Sequence, residues 1–143
     1  MEFQFTVPGE PRGKGRPRFV RAGGYVRTYT PDATAAYENL VRICYQKDGG
    51  PMFEKDKPLR LDVWIYMKIP ESASKSRKLH MLVGRIRPTK KPDADNVLKA
   101  ILDGLNTVAF HDDSQIVEIE VHKFYNENPR CAITISEEGR SLP

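Results

Sequence analysis

The sequence predicts an α+β fold: a mixed, mostly antiparallel sheet with helices packed on it. Two patterns carry this reading. Segments 2–7, 59–69, 115–125 and 130–136 have the alternation or β-rich composition of strands. Between them lie three stretches with helical spacing, one ending near Lys47, one over Ser72–Val83 and one opening at Asp93. The 143 residues contain no repeat or low-complexity tract, so one domain over 1–143, large enough for a real core, is predicted.

Taken in order, Glu2–Val7 alternates Phe3, Phe5 and Val7 as a first strand. Pro8–Arg18, with three glycines and three prolines, reads as a loop, and Phe19–Tyr29 as a short hairpin around Gly23-Gly24. Residues 8–30 together form a basic arm. Thr30 or Asp32 then caps a helix whose apolar stripe is drawn from Ala33, Ala36, Tyr37, Leu40, Val41 and Cys44. Leu59–Ile69 alternates Leu61, Val63, Ile65 and Met67 as a long strand, in which Trp64 is assigned to the core. Ser72–Val83 is a short helix, and residues 84–92 are a second basic loop. The last two strands lie on either side of a turn at Asn126–Pro129.

Composition limits the class of protein. Cys44 and Cys131 lie far apart with no C-x-x-C pattern, which suggests neither a disulfide framework nor a zinc knuckle. The start, MEFQFTVPGEP, lacks the layout of a signal peptide, and no apolar run approaches the roughly 18–20 residues that span a bilayer. A soluble protein of the reducing cytoplasm, with no membrane partner, is the expectation. Charge is unevenly placed: residues 1–91 hold 19 Lys/Arg against 9 Asp/Glu, and residues 92–143 hold 4 against 10. Pro11–Thr30 carries Arg12, Lys14, Arg16, Arg18, Arg21 and Arg27 with no acid, and the loop 84–92 adds Arg85, Arg87, Lys90 and Lys91. Such blocks are either a footprint for a polyanion or ordinary solubilising surface.

The acidic region 93–113 is the most informative. At about 100° per residue, Val97, Leu98, Ile101, Leu102, Leu105, Val108 and Ala109 share one side of a helix. Asn96, Lys99, Asp103 and Asn106 form a polar stripe on the other. Asp93 and Asp95 lie at the front of this helix, and Asp112-Asp113 follow it before a strand. A single aspartate is explained as a helix cap, a turn residue or half of an i,i+4 pair. The whole set is harder to explain so, because like charges repel unless cations intervene. Three or four converging carboxylates would hold Mg²⁺ or Mn²⁺, hard cations that take oxygen ligands. A metal so held beside a basic surface suits phosphodiester hydrolysis.

The runs KPDADNVLKAILDGL and FHDDSQIV closely resemble the RusA family of Holliday junction resolvases, and GEPRGKGRPRF and YTPDATAAYE look like its phage-type members. The likeness extends from about residue 3 to residue 136, and its D-x-D-N-x-x-K-x-x-x-D signature with a following D-D is specific. It implies a RusA-like fold and a dimeric, Mg²⁺- or Mn²⁺-dependent endonuclease that makes paired nicks in four-way DNA junctions. By that resemblance Asp93 and Asp95 are paired metal ligands, Asp113 is the third catalytic acid and Asp112 a supporting ligand. Lys99 matches the family lysine, read as stabilising charge on the phosphate. Asp103 is read as orienting Lys99, and Asn96 completes the signature. Lys90-Lys91-Pro92 stands where other members have arginines.

Other segments carry less. Gly9–Gly15 has no G-x-x-x-x-G-K-[ST] pattern, which rejects an NTPase loop. Lys14-Gly15-Arg16-Pro17 is close to an AT-hook core, though a generic DNA-contacting arm is the preferred reading. His111 is a candidate supporting group beside the D-D pair, His122 a face residue of a strand, and Tyr25 and Phe19 belong to hairpin packing or base stacking. A flap or fork nuclease and a non-catalytic DNA-binding protein are the alternatives. Only the acid cluster separates the latter from an enzyme.

Overall fold

The computed structural model describes residues 1–15, 18–29 and 32–143, with the backbone alone described for 18–22 and 25–29. Among the described residues the strands are β1 (Glu2–Pro8), β2 (Arg18–Ala22), β3 (Tyr25–Tyr29), β4 (Leu59–Lys68), β5 (Ile116–Asn126) and β6 (Arg130–Glu137). The helices are α1 (Asp32–Lys47), α2 (Lys75–Leu82) and α3 (Ala94–Leu105), and a 3₁₀ turn spans Asp113–Gln115. Thr30, one of the two cap candidates of α1, lies outside the described residues.

Four strands form one sheet in the order β1-β6-β4-β5. β6 is antiparallel to both β1 and β4, whereas β4 and β5 run parallel. That parallel pair needs a long crossover, which α2 and α3 supply. The fold is therefore α+β with a mixed, mostly antiparallel sheet, as expected. The final two strands do flank the turn after Asn126, but they do not pair with each other, because β4 lies between them. β4 takes that central place because Leu59, Leu61, Val63 and Ile65 are all fully buried. β2 and β3 form a separate hairpin with Ala22 opposite Tyr25. Gly23 and Gly24 both have positive φ, the geometry a two-residue type I′ turn demands.

The core lies between one face of the sheet and helices α1 and α3. Phe5 and Val7 from β1, the four residues of β4, and Cys131, Ile133 and Ile135 from β6 meet Tyr37, Val41 and Tyr45 of α1 and Val97, Ile101 and Leu105 of α3. The α3 stripe matches its sequence periodicity at Val97, Ile101, Leu102 and Leu105, whereas Val108 and Ala109, expected on the same side, lie past the end of the helix. The α1 stripe is displaced: Thr34, Tyr37, Val41 and Tyr45 are buried, while Ala33 and Ala36 are exposed. Tyrosine reaches the core with its ring and satisfies its hydroxyl at the edge. Tyr37 Oη donates to Cys131 Sγ at 3.3 Å, and Tyr45 Oη donates to the Pro51 carbonyl. Burial pushes the Cys131 thiol up to about 11. No helix among the described residues is long and apolar enough to cross a membrane.

Trp64 corrects the sequence reading. It is not core: its side of β4 faces away from α1 and α3, and it is 38% exposed. With Leu61, Val63 and Ile65 directed inward, strand alternation sends residue 64 outward.

α1 and α3 make a close crossing at Gly104. A Cβ there would lie 2.7 Å from the Glu38 carbonyl oxygen and 2.9 Å from Val41 Cβ. Arg42 closes the same end of α3, donating through Nε to the Gly104 carbonyl and through a terminal nitrogen to that of Asn106, each at 3.1 Å. Gly104→Ala should therefore destabilise by about 1–3 kcal/mol, despite the roughly 1 kcal/mol that alanine gains over glycine inside a helix. Urea unfolding checks this; an alanine variant at least as stable as the wild type would show that the crossing has room to spare.

Candidate active site

Asp93 is the N-cap residue of α3, in extended geometry at φ −69° and ψ 146°, and its carbonyl accepts from Val97 N at 3.1 Å. Its carboxylate makes no capping hydrogen bond. Asp95 follows in the first turn, and both side chains are exposed. Both carboxylates thus stand at the positive end of the helix dipole without being used up there.

Asp112 is different. It caps the 3₁₀ turn: Oδ2 accepts from Ser114 N at 3.3 Å and also from the Ser114 hydroxyl. The Ser114 hydroxyl bond, with its backbone N–H, holds the Asp112 carboxyl below the usual range. Gln115 completes the box, its Oε1 accepting from Asp112 N and His111 N while its amide donates to the carbonyls of Glu54 and Lys57. His111 is exposed and enters this arrangement through its backbone. Of the D-D pair, Asp112 builds the turn and Asp113 faces the helix.

From Asp113 a line of alternating charges runs through the site. Lys99 Nζ lies 3.6 Å from Asp113 Oδ2 and 3.3 Å from Asp103 Oδ1. Lys14 Nζ lies 2.9 Å from Asp103 Oδ2 and 2.6 Å from Glu38 Oε1. Lys99 is about half exposed, with 53% of its side chain accessible, whereas Lys14 retains 22%. The sequence assigned Lys14 to an outward DNA contact; the structure turns it inward between two carboxylates. Its backbone is fixed as well. Lys14 N donates to the Asn96 carbonyl at 2.8 Å, and Gly15 N donates to the buried Thr34 hydroxyl at 2.9 Å. A Cβ at Gly13 would sit 2.9 Å from that of Asn96 and 3.2 Å from that of Pro92, so the arm presses directly against the start of α3. Arg12, Lys14, Lys91, Asp93 and Asn96 line the resulting cleft of about 460 Å³.

The full convergence suggested by the sequence is not formed. Among the described residues, no three acid, histidine or cysteine side chains come together as a cation cage, and Lys99 stands among the acids instead. The donor chemistry of Asp93, Asp95 and Asp113 nevertheless fits a hard cation. Mg²⁺ is commonly held by one or two carboxylates with water and substrate phosphate completing its shell.

The basic loops are partly in view. Arg85, Lys90 and Lys91 are exposed, as is Arg12 in the arm, and of these Arg12 and Lys91 line the cleft. Arg87 is folded back, its guanidinium 3.7 Å from the Phe124 ring centroid and its Nε donating to the Lys123 carbonyl. Arg16 lies outside the described residues, as do the side chains of Arg18, Arg21, Phe19 and Tyr25. Lys123 was missed: its Nζ donates to the carbonyls of Lys90 and Pro92 at 2.8 and 2.9 Å, tying the loop to β5. Glu38 was missed too. A lone lysine on an otherwise acidic strand was the available signal for the first; nothing local marked the second.

Comparison with known proteins points one way. The family model for endodeoxyribonuclease RusA matches residues 8–136. The chain is 38% identical over 137 residues to uncharacterized protein YqaN of Bacillus subtilis (strain 168), covering 94% of this chain and 96% of that protein. It is 28% identical over 138 residues to the crossover junction endodeoxyribonuclease rusA of Lactococcus phage r1t, covering 96% and 98%.

The inward Lys14 makes a stability prediction. Lys14→Met leaves Glu38 and Asp103 without their shared cation and should cost on the order of 1 kcal/mol at neutral pH. Burial lowers the Lys14 pKa, but the two carboxylates outweigh it and raise the value above 10.5. The lysine's contribution is then complete below 10.5 and is lost as pH rises through the higher folded value. Urea unfolding across pH should show the gap between variant and wild type closing only on that alkaline side. An outward, DNA-facing lysine would give no gap at any pH.

Proposed function

This chain belongs to the RusA endodeoxyribonuclease family, and on that premise we propose that it resolves four-way DNA junctions by metal-assisted phosphodiester hydrolysis at Asp93, Asp95, Asp113 and Lys99. The observation that carries the reading is Asp93: it holds the cap position of α3 without making the cap's bond. The structural explanation for that aspartate loses its main support, and a binding protein that does no chemistry has no use for the acid group.

The residues divide the work. Arg12 and Lys91 line the cleft and attract the phosphate backbone, with the exposed Arg85 and Lys90 of the second basic loop, and Arg16, Arg18 and Arg21 of the arm, assigned to the same task from the sequence. Arg87 anchors its loop on Phe124 and takes part through that loop. Asp93, Asp95 and Asp113 are the ligands proposed for Mg²⁺, with Mn²⁺ as a substitute, and Asp112 supports Asp113 by building the turn. Such an ion, when bound, polarises the phosphate and supplies an activated water. Lys99 brings positive charge to the phosphate as negative charge accumulates in the transition state. Asp103 holds Lys99 at 3.3 Å, and Asn96 fixes the arm through its carbonyl. Two nicks require two sites, so the working form is a symmetric pair of chains. DNA as substrate assigns this work to the cytoplasm of a bacterial or phage-infected cell.

A gel assay on a synthetic four-way junction with Mg²⁺ tests the chemistry. Asp93→Asn, Asp95→Asn and Asp113→Asn should each lose cleavage by about 10²-fold or more while retaining junction binding, with Lys99→Ala losing less. Asparagine caps a helix about as well as aspartate, so the first variant should keep its stability. Wild-type cutting rates in folded Asn variants would refute the assignment.

Binding has its own test. Junction affinity should fall steeply with salt, by a slope of about −0.9 per phosphate neutralised. Replacing Arg85, Lys90 and Lys91 together by alanine should flatten that slope by roughly 2–3. An unchanged slope would remove this loop from the DNA interface.

A further inference from the structure

The face of the sheet opposite α1 and α3 carries side chains that the cleavage site does not use. Strand register puts Arg60, Asp62, Trp64 and Tyr66 of β4 beside Glu118, Glu120, His122 and Phe124 of β5. Trp64 stacks on His122 with centroids 4.4 Å apart and on Phe124 at 5.6 Å. Leu82 and Val83, 43% and 69% exposed, border the same aromatic group across a small cleft. At one end of the patch stand Asp62, Glu118 and Glu120, gathered around Arg60. At the other stand Arg130, 4.1 Å above the Tyr66 ring, Arg87 above Phe124, and exposed Lys68. The order along β4 and β5 is therefore acidic, aromatic, basic.

We infer that this face binds the same face of a second copy of the chain. This rests on the reading above that the protein works as a symmetric pair, and it adds the surface. A two-fold axis lying in the interface and crossing the strands at Trp64 and His122 reverses their direction. Each tryptophan then meets its counterpart, and the acidic end of one copy covers the basic end of the other, so a single patch is its own electrostatic complement. Four strands about 4.8 Å apart and ten residues at about 3.3 Å offer roughly 600 Å² of flat face, comparable with the about 800 Å² of accessible surface each partner buries in a standard interface. The observations favour a second copy over nucleic acid. The acidic end repels phosphate, and the arginines already occupy the ring faces of Phe124 and Tyr66 that a base would stack on.

Trp64 is the chain's one tryptophan, so its fluorescence reports on the proposed interface directly. Light scattering and emission are measured together over a dilution series of the full chain without DNA. At micromolar concentration the mass should be twice 16.3 kDa with a blue-shifted emission, and both should revert together on dilution. Glu120→Lys and Arg87→Glu should each weaken association at least tenfold, and combining them should restore it, while far-UV circular dichroism stays unchanged. A stable dimer whose Trp64 emission stays that of an exposed indole, or which tolerates both charge reversals singly, overturns this face but leaves the paired reading standing. A 16.3 kDa monomer at every concentration, alone and on a junction, overturns both. A monomer whose Trp64 is quenched only by single-stranded DNA would reassign the face to nucleic acid and overturn the inference.

Discussion

Gly104 allows α1 and α3 to approach until a single added carbon would press on the Glu38 carbonyl, and the candidate active site depends on that approach. Glu38 lies on the α1 face turned to Asp103, so one lysine can bridge the two helices. Lys14 does so, bringing the N-terminal arm with it, and the arm closes over Asn96 and Pro92 at the start of α3. Arg42 secures the far end of the same helix. The crossing thus sets both the position of α3 and the wall that faces its first turn.

On this frame the aspartates separate by what already occupies them. Asp112 is committed to Ser114, and Asp103 is shared between two lysines. Asp93 and Asp95 are exposed at the front of α3, and among the described residues Asp113 meets only the half-exposed Lys99. The proposed ligands are therefore the acids with least structural work. Lys99 offsets the charge of Asp113 and Asp103 in the protein as it stands.

Much of this was legible in the sequence, for identifiable reasons. The buried face of α3 follows from an uninterrupted helical period, and the hairpin turn from two consecutive glycines where φ must be positive. Trp64 belongs in a core by residue type but not by strand parity, since the inward run Leu61, Val63, Ile65 fixes the side on which residue 64 must lie. Ala33 and Ala36 fit the α1 stripe by spacing, but the larger Thr34, Tyr37 and Tyr45 define what is buried. Lys14 could not be placed. A run of basic residues in a loop looks the same whether one member faces solvent or a carboxylate 24 or 89 positions away. The separation of β5 from β6 was equally hidden, since a short turn between strands leaves open whether a third strand lies between them.

The central claim is that Asp93, Asp95 and Asp113 together hold a divalent ion at the phosphate to be cut. Calorimetric titration of Mn²⁺ into the full chain bound to a non-hydrolysable four-way junction tests it most directly, comparing wild type with Asp93→Asn. The account predicts a saturable binding event in the wild type that weakens by about tenfold or more in the variant, with unfolding curves that coincide. Equal Mn²⁺ affinity in the two proteins would contradict it, and Asp93 would be left as a surface charge at the helix N-terminus.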